Sequence, residues 1–109
     1  MATRALALVH FPHAAKRGEV IEIRTTLAHP METGYRRDSD GRMLPRNVVN
    51  RLECHYEGEL VFAADTFAAI AANPFVAFHL VAGASGPIQL SWSGDNGFSH
   101  SETVTLQVS

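Results

Sequence analysis

What most constrains this chain is a rhythm of two: short runs of alternating apolar and polar residues, each cut off by turn residues. Side chains on a strand point alternately to opposite faces, so such runs describe strands with one face buried. In residues 19–27, "EVIEIRTTL", Ile21, Ile23, Thr25 and Leu27 share one face, while Glu22, Arg24 and Thr26 share the other. In residues 47–56, "NVVNRLECHY", Leu52, Cys54 and Tyr56 oppose Arg51, Glu53 and His55. "IQLSW" (88–92) alternates cleanly, and residues 99–108 set Val104, Leu106 and Val108 on one face.

The punctuation agrees. Lys16-Arg17-Gly18 is a turn, Glu57-Gly58 reads as a hairpin into "ELVFAAD", and "SGDNGF" (93–98) supplies the residues that tolerate positive φ in a tight hairpin. Weaker alternation in "RALALVH" (4–10) and the mostly apolar "FVAFHLVA" (75–82) complete the set. Asp65 is placed to cap one helical turn over "TFAAIAA", which Asn73-Pro74 ends. The expectation is a single domain over residues 1–109, an all-β immunoglobulin-like antiparallel sandwich of about seven strands. It would lack a disulfide, because the chain has one cysteine.

Charge narrows the function classes. Nine Lys and Arg against eleven Asp and Glu give a net charge of −2, the wrong balance for a nucleic-acid or anionic-membrane binder. The first twenty residues hold no continuous apolar run of signal-peptide length, because His10, Pro12 and His13 interrupt them. No stretch approaches the ~20 apolar residues of a membrane helix. By itself the sequence carries no export address and reads as soluble.

No recognisable catalytic or metal signature stands out. The six histidines, His10, His13, His29, His55, His79 and His100, are scattered, without the spacings of a zinc site. A blue-copper set of Cys54, His29 and Met31 or Met43 is conceivable by residue type, but Cys54 and His55 adjoin in a strand, unlike a cupredoxin loop. Strand parity turns Cys54 inward, where a thiol keeps a high pKa and stays inert. No cofactor is expected. Residues 29–47, "HPMETGYRRDSDGRMLPRN", are the exception to the rhythm. A loop this long in a compact β domain is often functional, and its Tyr35, Arg36, Arg37 and Arg46 are residue types that carry recognition. Ion pairing within the loop, Arg37 with Asp38 or Asp40 for example, is the plainer alternative. A catalytic centre built on His29, Glu32 and Cys54 is a further one.

Four separated blocks carry a resemblance over nearly the whole chain. "HPMETGYRRD" followed by "PR", "ECHYEGELVFAAD", "AAIAANPF" and "SWSGDNGFS" resemble, in order and spacing, the Z-subunit family of the bacterial SoxYZ sulfur-carrier complex. That resemblance implies a non-catalytic subunit pairing with SoxY, whose Gly-Gly-Cys-Gly-Gly arm holds the sulfur intermediates of thiosulfate oxidation. It implies transient contacts with other Sox enzymes, and a periplasmic location reached through the signal on SoxY. The ending "TLQVS" has no glycine-flanked cysteine of its own. Partner or enzyme recognition is then expected at Tyr35, Arg36, Arg37 and Arg46. The apolar run 75–81, with Phe75 and Phe78, is a candidate SoxY-facing strand as much as a central core strand. A stand-alone binding or adhesion sandwich is the other reading.

Overall fold

A computed structural model describes residues 7–29, 31–32, 34–66 and 73–109. The alternating runs become strands β1 (Ala7–His10), β2 (Ala14–Ala15), β3 (Val20–Leu27), β4 (Val49–Tyr56), β5 (Glu59–Asp65), β6 (Phe75–Val81), β7 (Gly86–Gly94) and β8 (Ser99–Val108). They form a three-stranded sheet in the order β1-β3-β6 and a five-stranded sheet in the order β2-β8-β7-β4-β5. The expected sandwich is present, with eight strands rather than about seven. The extra one is β2, two residues that run parallel to the end of β8, the one departure from antiparallel pairing among the described strands.

Parity decides what is buried. Ile21, Ile23, Thr25 and Leu27 of β3 point into the core, against Leu52, Cys54, Ile88, Leu90, Trp92 and Leu106 from the larger sheet. The outward faces differ. The five-stranded sheet presents Ser91, Ser101, Gln89 and Thr103 in register, whereas the three-stranded sheet turns out Leu8, Val20, Phe75 and Val81.

The chain's turns behave as read. Glu57 and Gly58 take φ of 56 and 75, the paired positive values of a tight hairpin. Just beside it, the Tyr56 hydroxyl donates to Ala84 O at 2.6 Å and accepts from Gly83 N–H at 2.9 Å, pinning the β6–β7 connection. The helical turn expected after Asp65 lies largely on residues 67–72, outside the described residues. Asp65 itself ends β5.

Strand β6 is not the central core strand that one of the two expectations makes it. Among the described strands it is an edge strand, bonded to β3 alone. Its register sets Phe78 opposite Ile23 and into the core, stacked on Phe62 with ring centroids 4.1 Å apart, while Phe75, opposite Thr26, faces out. The two sides of the sandwich are finished differently. One side ends in the short β1 and β2, with Pro12 between them. On the other, β5 and β6 are seven residues each and carry no Lys, Arg or Pro, the usual means of blunting an edge.

Candidate functional site

At one end of the sandwich, the 28–48 segment, the residues preceding β6 and the 95–97 turn converge. Sequence alone gives the long segment no periodicity, yet it is not free. Glu32 bridges to Asn47 and Arg37 to Met43, so the segment doubles back as a narrow hairpin-like excursion. The Asp38 carboxylate accepts the amides of Asp40 and Arg42 and shapes its tip. Gly34 is the close approach in this fold-back: with φ of +91, it would place a Cβ 3.2 Å from that of Arg46.

The arginines are positioned rather than loose. Arg36 donates through Nε and Nη2 to the same Glu32 oxygen, at 3.0 and 2.6 Å. The hydrogen bond and the nearby negative charge raise its pKa further. Arg37 donates to Gly41 O at 2.7 Å, and not to Asp38 or Asp40 as the plainer alternative has it. Arg46 reaches across to Asp95, at 2.8 Å. Between them Tyr35 stands out, 84% exposed. Phe75 lies at the same end, opposite Thr26 near the close of β3.

Two anchors that sequence reasoning missed hold the base. Asp95 accepts Arg46 and the Val48 amide on one oxygen, which lowers its pKa, and the Asp95 amide returns a bond to Val48 O at 2.9 Å. On the other side His29 is buried. Its Nδ1 accepts the Met31 amide at 3.0 Å, its ring meets Phe98 edge-on at 4.9 Å, and its backbone is bracketed by Asn73. Met31 takes a positive φ of 53 here, and its sulfur accepts the Val49 amide at 3.2 Å. Partners nearly fifty residues apart leave no local signature in a sequence, which is why "GDNG" reads as a hairpin and nothing more.

The catalytic alternative is not assembled. Cys54 lies mid-strand in the core between Phe62 and Leu90, while His29 and Glu32 belong to the loop end. Burial pushes the Cys54 thiol up to about 11. An aromatic disulfide reagent at neutral pH should accordingly leave Cys54 unmodified in the folded chain and label it fully in denaturant. Rapid labelling of folded protein would contradict this burial. Among the described residues, no three His, Cys, Asp or Glu side chains gather as a metal site requires.

Comparison with known proteins follows the same division between fold and function. The family model for "Sulphur oxidation protein SoxZ" matches residues 9–105. No curated protein sequence matches the chain. Among solved structures, a superoxide reductase (neelaredoxin) from Ignicoccus hospitalis is similar at TM-score 0.70 and 13% identity, over 96% of this chain and 81% of that one. The sulfur carrier protein SoxY from Chlorobium limicola f thiosulfatophilum is similar at TM-score 0.65 and 10% identity, over 97% and 81%. A putative superoxide reductase from Thermotoga maritima follows at TM-score 0.64 and 13% identity, over 94% and 85%. Identities this low establish a shared fold and no more.

Proposed function

This chain belongs to the SoxZ family of sulphur oxidation proteins, and we propose that it is the non-catalytic half of a sulfur carrier that pairs with a SoxY chain. The family match over residues 9–105 is the observation that carries the reading. Under it, sulfur intermediates are held on the SoxY arm. The buried Cys54, with its raised pKa, is unsuited to that work. The location that follows is the periplasm, reached through the export signal of the partner.

The distribution of exposed apolar side chains supports a place for the partner. Leu8, Val20, Phe75 and Val81, between 58% and 62% exposed, all lie on the outer face of the three-stranded sheet. That face runs into the open β5 and β6 edges, where Val61 and Val81 line a shared groove with His79 and Leu80. Phe75 belongs to this surface, and Phe78 supports it from beneath through its stack on Phe62. A stable pair needs about 800 Å² from each partner, more than one small sheet face supplies, so face and edges act together. The loop end, with Tyr35, Arg36, Arg37 and Arg46, is then left for the enzymes that visit the carrier. Their guanidinium groups suit the anionic sulfur cargo and acidic partner residues.

Mixing the chain with a SoxY chain from the same source should give a 1:1 complex by size-exclusion with mass determination. Phe75→Glu combined with Val81→Glu should abolish it, while Ser91→Arg on the opposite sheet should leave it intact. Two folded chains that fail to associate would overturn the reading. Loss of pairing through Ser91→Arg alone would move the surface to the other sheet.

A further inference from the structure

The loop that bears the arginines is fastened to the sandwich at two points, and the two differ in kind. On the far side, Asp95 holds Arg46 at 2.8 Å and the Val48 amide at 3.2 Å, contacts that persist wherever a carboxylate is ionised. On the near side, bonds between Asn73 and the His29 backbone and from the Val49 amide to the Met31 sulfur tie the loop down, and the neutral imidazole braces the Met31 amide within it. With Nδ1 accepting the Met31 amide, the ring proton sits on Nε2. A second proton would have to occupy Nδ1, where it would face the Met31 N–H and remove the acceptor that holds it.

We propose that His29 and Asp95 are positioning residues forming a two-sided clasp on the recognition loop, and that the His29 side loses its brace on Met31 when the imidazole is protonated. The surface offered by Tyr35, Arg36 and Arg37 is thus fixed at neutral pH and slackens in acid. Burial already disfavours the charged ring and sets its pKa below the ordinary histidine value, with Asp95 opposing the shift. The surroundings are otherwise nearly neutral. Asn73 flanks the backbone, Phe98 faces the ring, Arg46 is paired to Asp95, and the Glu32–Arg36 pair lies just past Met31.

The sign follows from linkage. The unfolded chain takes up its proton near pH 6.5, the folded chain only at lower pH. His29 therefore costs no stability above about 6.5, and costs progressively more as pH falls from there through the folded pKa. Below that pKa the cost is constant.

The functional weight of the clasp rests on the recognition role proposed for the loop, but its test does not. In the full-length chain labelled with ¹⁵N, the His29 ring and the Met31 amide should titrate together, with a common midpoint below that of an exposed histidine. Protection of the Met31 amide, corrected for intrinsic exchange, should fall about five-fold across the transition, the equilibrium factor that one net hydrogen bond represents. His29→Asn supplies an acceptor that does not titrate, and should keep the loop ordered while erasing the pH step. Asp95→Asn should move the His29 midpoint lower still, by removing the opposing charge. A Met31 amide that does not respond to pH, or a pH step that survives His29→Asn, would overturn the clasp. Neither result bears on whether the chain pairs with SoxY, and a failed pairing leaves the titration readable.

Discussion

Trp92→Ala is expected to remove a large share of the stability of the domain. Trp92 is the bulkiest of the fully buried side chains, set on β7 between Leu52 of β4 and His100 of β8. Truncating a buried aromatic to alanine costs roughly 3–5 kcal/mol, part lost transfer free energy and part the cavity left behind. A domain of this size has only about 5–15 kcal/mol in hand. Thermal denaturation followed by far-UV circular dichroism should show Tm lower by about 12 °C or more. The sandwich gives the site little room to collapse, because strands on both sides hold its walls in register. A drop of only a few degrees would mean that the interior refills around the cavity.

Gly94→Ala should cost roughly 1–3 kcal/mol, the scale of overpacking in a close-packed interior. Its φ of −167 is ordinary extended backbone, so conformational freedom is not what requires glycine here. Space is. A Cβ at this position would lie 2.4 Å from Val48 O and 2.8 Å from Val49 Cα, both backbone atoms that cannot swing aside. The strand pairing between β4 and β7 already shifts register between Val49 and Arg51, so the methyl group falls where the ladder is irregular. The damage should also spread to the adjoining Asp95, loosening its grip on Val48 and Arg46. Urea unfolding should report the loss of stability, and the Val48 amide should exchange faster than those of mid-strand β7. Wild-type stability in the variant would mean that β4 moves away without penalty.

Much of the sandwich was legible because burial on a strand has a period of two, and β3 and β8 follow it residue by residue, as β4 does from Leu52 onward. Where parity was the only guide it also worked for Cys54, whose inward position follows from Leu52 and Tyr56. It could not rank edges against centres. "FVAFHLV" is mostly apolar, and only pairing reveals that β6 lies at the edge of the described strands, with Phe75 opposite Thr26 and outward and Phe78 opposite Ile23 and inward. The strand β2 was invisible because two alanines carry no pattern, and their ladder partner lies at the far end of the chain. The arginine loop was legible as an exception to the rhythm, but its fastening was not. His29, Asn73 and Asp95 meet only once the sheets have closed, and nothing near any of them in sequence announces the others.

The order of strands in the larger sheet has a consequence in time. Ala14 and Ala15 lie against Gln107 and Val108, and β4 finds one of its two neighbours, β7, only after β5 and β6 have intervened. The partner of the second strand is the last of the described strands to leave the ribosome. Contacts so distant in sequence are slow to form, because loop closure must precede any reward from pairing. The five-stranded sheet cannot be completed until β8 has been synthesised. The larger sheet therefore closes around β8, after the core residues of β3, β4 and β7 are already available to one another.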